Sequence, residues 1–416
     1  MKTLKIKGGN ELSGTIEIGG AKNSAVALVP AAILSDKVEI TNVPDISDIN
    51  ALEQIVNYLG AYFTKESDKI IIDLTNLVNK PITLEQSKLL RASSYFMGAL
   101  LGKFKHAEMY FPGGCSIGAR PIDLHLFGFE KLGAKVTNEG DKYVIDAEKL
   151  IGADIDLAFA SVGATINILL VATQAEGVTT IRNAAREPEV GNVIDFLNNM
   201  GAKISGKDTN ILTIEGGIPL SGGKVQTIPD RIEAGTYIIA GVMAGNNLKI
   251  SKVIPEHFAS LTDKLLEMGA DIEIGKDYVL TNKVDNLKPI NVTTETYPGF
   301  PTDLQQPITS LLTLANGEST VTEKIYENRF QNVPYLIHMG ADIVIDGQTI
   351  TIKGPTEFKA GEVITTDLRA GAALILAALC AKGETTIKEV KHVLRGYENI
   401  IKKLRKVGVE IDLEDV

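Results

Sequence analysis

Tryptophan is absent from the 416 residues, cysteine occurs twice and histidine five times. Two cysteines cannot build a disulfide framework. His106, His125, His257, His338 and His392 are scattered, with no spacing that fits metal ligands, and no metal is expected. There is no Walker loop and no G-x-G-x-x-G after a strand. No apolar run approaches the length of a membrane span, and the start, Met1 to Lys7, reads as a strand rather than a signal peptide. A cytoplasmic protein that binds no membrane is expected. Positive charge is in short supply: 42 Lys and Arg face 52 Asp and Glu, and the net charge of −10 argues against a nucleic-acid surface. Arginine is especially scarce, with nine in the chain.

What is present is ordinary globular composition, 44% hydrophobic and 23% charged. The length is too great for one core, so two domains are expected. A repeat runs through the whole chain. The tripeptides Leu59-Gly60-Ala61, Leu132-Gly133-Ala134, Met200-Gly201-Ala202, Met268-Gly269-Ala270, Met339-Gly340-Ala341 and Val407-Gly408-Val409 recur every 68 to 73 residues. Each glycine ends an amphipathic helix and fits a left-handed C-cap. A pair of strands follows each. Upstream lies a second helix, short in charge and rich in small apolar residues, then a strand of the Gly-x-Thr-Thr-Ile kind, as at Thr179-Thr180-Ile181. The repeat is helix–strand–helix–strand–strand.

The sixth repeat is incomplete at Val416, and the N-terminal strands Leu4 to Lys7 and Gly14 to Ile18 are expected to complete it. The result is an α/β protein of two domains with three repeats each. One spans about 21–229; the other is discontinuous, 1–20 with 230–416, hinged near 20 and 229. The small-residue helices are apolar nearly all round and belong inside each domain.

Charged residues gather where these helices begin. Lys22, Arg91, Arg231, Asp303 and Arg369 lie within a turn of such a start. A helix N-terminus attracts anions, and a cation beside it sharpens the attraction into a phosphate or carboxylate site. Asp303 and Asp367 also fit plain N-caps. Lys22 and Arg91 also fit solvated helix ends. Arg120, Arg182, Arg186, Arg329 and Arg395 follow strands at matching points of the repeats, which aims several cations at one mouth between two domains, suited to a polyanionic substrate. One of these points is the loop Phe111-Pro112-Gly113-Gly114-Cys115-Ser116-Ile117-Gly118-Ala119-Arg120-Pro121. Its Cys115 is either an incidental thiol on a turn or a reactive one made more acidic by Arg120. Cys380, in an apolar run, reads as a buried small hydrophobe.

The loop 111–121 with Ile122-Asp123-Leu124-His125, together with Ala21-Lys22-Asn23-Ser24, Ser161-Val162-Gly163-Ala164-Thr165, Ala184-Ala185-Arg186-Glu187-Pro188-Glu189, Ile228-Pro229-Asp230-Arg231-Ile232-Glu233, Phe300-Pro301-Thr302-Asp303 and Glu327-Asn328-Arg329-Phe330, resembles the UDP-N-acetylglucosamine 1-carboxyvinyltransferase family end to end. The resemblance implies two inside-out α/β barrels. It implies transfer of the enolpyruvyl group of phosphoenolpyruvate to the 3-hydroxyl of UDP-N-acetylglucosamine in bacterial peptidoglycan synthesis, without a cofactor.

By the same resemblance, Lys22, Arg120 and Arg395 hold the phosphate end of phosphoenolpyruvate, and Arg91, Arg329 and Arg369 serve its carboxylate and the positive cleft. Asp303 faces the sugar hydroxyl as base or relay, and Asn23 binds the amino sugar. Arg120, Pro121, Ile122, Asp123, Leu124 and His125 line the uracil pocket. Ser161, Val162 and Gly163 hold the diphosphate, and Ile325 touches the nucleotide. Cys115 is the proton donor or covalent partner and the residue that fosfomycin alkylates. Phe159-Ala160 stand where some members carry a lysine, which removes one diphosphate contact. Two rivals remain in view. The sister enzyme acting on shikimate 3-phosphate lacks the Cys115 loop and needs no uracil pocket. A sliding clamp is also acidic and repetitive, but spreads its cations along a ring.

Overall fold

A computed structural model describes residues 2–110 and 122–415, with the Arg91 side chain left aside. The described residues form two compact units, 20–110 with 122–228, and 2–19 with 229–415. Each has its own continuous apolar core.

The helices short in charge are the cores. In one unit these are Lys22–Ala32, Tyr95–Phe104 and Val162–Ala172; in the other, Arg231–Ala244, Gln305–Leu312 and Leu368–Cys380. All fourteen residues of Arg231–Ala244 are buried. Small side chains let such helices approach closely. A Cβ on Gly98 would lie 2.6 Å from the Asn167 carbonyl, so Tyr95–Phe104 seats directly on Val162–Ala172. The three helices of the second trio all pack on one another. Burying side chains such as Leu169 and Leu311 completely stabilises each unit by roughly 1.5–3 kcal/mol per residue.

Around each trio stand amphipathic helices and small twisted sheets. The amphipathic helices, such as Pro188–Asn199 and Ala259–Glu267, end at the repeating glycines. Gly60, Gly133, Gly201, Gly269, Gly340 and Gly408 all take positive φ, between +81° and +109°. This is the inside-out α/β arrangement, with helices within and sheets without.

The sheets hold more than the repeat pattern predicts. A further short strand precedes the buried helix and pairs in parallel with the strand that follows it. Asp154–Asp156 lies beside Gly177–Arg182 in this way, with Thr180 opposite Asp154. Asn291–Thr293 and Glu362–Ile364 do the same for their repeats. Three residues are too few to show a period of two.

The closure of the repeats also differs in part from the expectation. Lys2–Lys7 does complete the sixth sheet, between Glu384–Lys388 and Glu410–Asp415. Leu12–Glu17 does not join it. It pairs in parallel with Gly245–Ser251, in the fourth repeat. Correspondingly, Lys224–Gln226, at the end of the third repeat, pairs with Lys37–Thr41 of the first. The physical reason is the chain path. The chain passes from one unit to the other between 19 and 20 and returns between 228 and 229. At both points the strand before a helix stays in the unit being left, so each trio takes its missing parallel strand from the other end of its own unit.

Candidate active site

Asp303 lies in the 3-10 turn Thr302–Leu304 that leads into the buried helix Gln305–Leu312. It caps nothing. Its Oδ1 accepts from Arg329 Nη2 at 2.7 Å and its Oδ2 from Arg369 Nη2 at 3.0 Å. Asp367, the other aspartate at a helix start, is a true N-cap, accepting from the amides of Arg369 and Ala370 at 2.8 and 3.0 Å. That cap fixes the first turn of Leu368–Cys380 and so places Arg369 against Asp303.

Both arginines are nearly inaccessible, with side-chain exposures of 3% and 4%, whereas Asp303 retains 26%. Arg369 stacks over Tyr397 at 5.4 Å and Arg329 over Tyr326 at 5.2 Å. Burial alone would push the Asp303 carboxyl up; Arg369 and Arg329 outweigh it and hold the group well below the usual carboxylate range. Asp303 in turn raises Arg369 against its own burial. Among the described residues Arg329 Nε is buried and has no hydrogen-bond partner.

In the other unit, Lys22 is the first residue of its helix, where a cation opposes the helix dipole. Its Nζ lies 3.1 Å from Asp48 Oδ2, and Asp48 is 2% exposed in the first turn of Ser47–Tyr58. Asn23 is half-buried beside it. Ser24 Oγ donates to Asn192 Oδ1, which also accepts from the Ile228 amide at 3.1 Å.

His125 and the Ser161-Val162-Gly163 turn come together. Ser161 caps Val162–Ala172 by accepting from Ala164 N at 3.3 Å. A Cβ on Gly163 would lie 2.9 Å from His125 Cε1, so only glycine lets the imidazole sit there. Asn167, wholly buried, joins three helices. Its Oδ1 accepts from Gly98 N at 2.8 Å, and its Nδ2 reaches Gly163 O at 3.2 Å and His125 Nδ1 at 2.9 Å. Burial lowers the His125 pKa to about 4. Ile122 and Leu124 are half-buried and Asp123 is exposed, at the start of Asp123–Lys131.

Arg395, at the end of Lys391–Leu394, and Ile325 are half-buried. Cys115, Arg120 and Pro121, and the Arg91 side chain, lie outside the described residues. Cys380 is no rival nucleophile, since burial pushes its thiol up to about 12. Among the described residues no group of three His, Cys, Asp or Glu could hold a metal ion, and no helix is long and apolar enough to cross a membrane. Sequence reasoning missed Asp48 and Asn167. Asn167 was detectable, as the one amide in a helix whose only other polar side chain is Thr165.

The fold places the chain beside a solved member of one class, the enolpyruvyl transferases. The crystal structure of the enolpyruvyl transferase NikO from Streptomyces tendae superposes with a TM-score of 0.90 over 100% of this chain and 99% of that one, at 27% identity. The chain belongs to the EPSP synthase (3-phosphoshikimate 1-carboxyvinyltransferase) family, whose sequence profile matches residues 6–404. Within that family it is 50% identical over 412 residues to UDP-N-acetylglucosamine 1-carboxyvinyltransferase 2 of Geobacillus kaustophilus, covering 99% of this chain and 96% of the relative. It is 49% identical over 413 residues to the protein of the same name from Bacillus subtilis, with the same coverage.

Proposed function

We propose that the protein transfers the enolpyruvyl group of phosphoenolpyruvate to the 3-hydroxyl of UDP-N-acetylglucosamine, releasing phosphate, as a cytoplasmic step of peptidoglycan synthesis. The observation that carries the reading is the full-length identity of about one half to two relatives bearing that activity's name. In the addition step the sugar oxygen bonds to C2, the hydroxyl proton leaves, and the methylene carbon takes a proton. In the elimination that carbon gives a proton up and the C2–O bond to phosphate breaks. The two units serve as domains hinged near residues 20 and 229.

The chemistry needs cations for a phosphate and a carboxylate, a base, and an acid. Lys22, Arg120 and Arg395 take the phosphate; Arg91, Arg329 and Arg369 serve the carboxylate and the positive cleft; Cys115 is the proton donor or the covalent partner, acting as the acid or in product release. Asn23 and the segments 120–125 and 161–163, with Ile325, bind the nucleotide sugar. Asp303 is the base or relay. Held by two guanidiniums it is a weak base. A substrate anion that draws on Arg329 and Arg369 weakens both pairs and raises the basicity of Asp303 when the sugar hydroxyl needs it. Base strength is thereby coupled to occupancy.

Phosphate release from phosphoenolpyruvate tests the proposal. Release with UDP-N-acetylglucosamine and none with shikimate 3-phosphate is expected. Release only with shikimate 3-phosphate assigns the sister reaction, and release with neither overturns both.

A further inference from the structure

Glu323 is 1% exposed, carries no cation partner among the described residues, and lies just past the strand Glu318–Thr322. Four donors face its carboxylate. Oε1 accepts from Thr294 Oγ1 at 2.9 Å, Ile325 N at 2.8 Å and Tyr326 N at 3.1 Å. Oε2 accepts from Thr302 Oγ1 at 2.8 Å. A buried carboxylate without a counterion is costly and is kept only where its hydrogen bonds are complete. Two of these bonds tie down the loop that carries Arg329. The fourth goes to the turn that carries Asp303.

The Thr302 hydroxyl has a forced direction. Arg329 Nη1 lies 3.0 Å from Thr302 Oγ1, and a guanidinium can only donate. Thr302 therefore accepts from Arg329 and gives its own proton to Glu323. Among the described residues Arg329 Nε has no hydrogen-bond partner, so two hydrogen bonds, Nη1 to Thr302 and Nη2 to Asp303, orient the guanidinium in its plane over the Tyr326 ring. We propose that Glu323 is a positioning residue of the transfer reaction: through the Thr302 hydroxyl it aims Arg329 at Asp303, and through the amides of Ile325 and Tyr326 it fixes the loop between them. It touches no substrate. The role in turnover rests on the function proposed above; the alignment of Arg329 with Asp303 does not.

Glu323→Gln separates the two arms. Its Oε1 still accepts from Thr294 and the two amides, but its Nε2 cannot accept from Thr302. Thr302→Val cuts the same arm from the other side, and Thr302→Ser restores it. With the wild-type enzyme and both substrates, Glu323→Gln and Thr302→Val are each expected to lower kcat by about 10- to 100-fold, with KM changed less than about threefold. The double variant is expected to be no worse than either single one, because both cut one arm. Thr302→Ser is expected to recover most of the loss. Carbon-detected NMR titration of the Asp303 carboxyl, which needs no turnover, is expected to show its midpoint rising in both single variants. A Glu323→Gln enzyme within twofold of wild type, multiplying losses in the double variant, or an unmoved Asp303 midpoint overturns the proposal. Wild-type enzyme without phosphate release overturns the reaction instead, and the Asp303 titration then decides the positioning role alone.

Discussion

Asn167 donates its side-chain amide to Nδ1 of His125 at 2.9 Å, and this bond determines which imidazole nitrogen carries the proton. The amide cannot be turned over, because its oxygen already accepts from Gly98 N at 2.8 Å. Nδ1 is therefore the acceptor, and neutral His125 presents Nε2–H as a donor. A carboxyl at position 167 would reverse the polarity. In nitrogen-resolved NMR of the wild type, His125 is expected as the Nε2–H tautomer, and in Asn167→Asp as Nδ1–H or imidazolium. A wild-type Nδ1–H signal sinks the argument. Asn167→Leu leaves the Gly98 amide and His125 Nδ1 buried without partners, and loses about 2–4 kcal/mol of stability in urea unfolding.

Two buried groups give the stability opposite pH slopes. His125 titrates near 4 in the folded chain against an ordinary 6.5. The unfolded chain binds more protons between those values, so stability is lost as pH falls through that window, by about 3 kcal/mol in full. Glu233, 2.7 Å from Lys403, goes the other way. Burial outweighs the lysine and raises its carboxyl from 4.5 to about 7. The folded chain then binds more protons between 4.5 and 7, so stability is lost as pH rises there, by a similar amount. His125→Gln is expected to leave a stability that falls from pH 5 to 7, and Glu233→Gln one that rises. Parallel pH curves for the two variants and wild type, measured by denaturant unfolding at each pH, contradict both assignments. The two groups sit in different units, so separate unfolding transitions would carry one slope each.

Much of this was legible in the chain because repetition made it so. The glycines from Gly60 to Gly408 marked six repeats, and the stretches short in charge and rich in small apolar residues after Lys22, Ser161, Asp230 and Asp367 marked the buried helices. The short parallel strands were not legible, since three residues such as Lys224 to Gln226 have no period to read. Nor was the exchange of Leu12–Glu17 into the fourth sheet, which depends on where the chain changes units. At the site, Asp303 and the arginines stood out by type and position. That cations would gather was readable from their matching places in the repeats, but the pairing of Asp303 with Arg329 and Arg369 was not, because folding and not spacing joins the three. Asp48 and Glu323 were hidden among many exposed acids. Burial alone sets them apart, and sequence does not show it for a residue flanked by polar neighbours.

Asp48 holds Lys22 by charge from the first turn of the neighbouring helix, where the dipole favours an anion. With Lys22 as a phosphate ligand, Asp48→Asn is expected to lower kcat/KM for phosphoenolpyruvate about tenfold or more while kcat/KM for the nucleotide sugar, measured at saturating phosphoenolpyruvate, falls far less. Equal losses for both substrates would show that Asp48 supports the unit as a whole and not the lysine.

Asp303→Asn tests the central pair from both sides, stability and turnover. The substitution leaves Arg329 and Arg369 buried with no carboxylate between them, a change that costs roughly 3–5 kcal/mol when a buried ion pair loses one partner. The native carboxyl lies well below its ordinary 3.8, so its stabilisation is complete above that value and is lost as pH falls toward the folded-state value. The gap between wild type and Asp303→Asn in unfolding free energy is therefore expected to be widest at neutral pH and to close below about pH 4. Turnover is expected to drop by about 10²–10⁴, the range for a positioned acid or base. A stable Asp303→Asn protein with wild-type turnover would remove Asp303 from the reaction. A stability gap that stays constant down to strongly acid pH would show that the two arginines do not hold its charge.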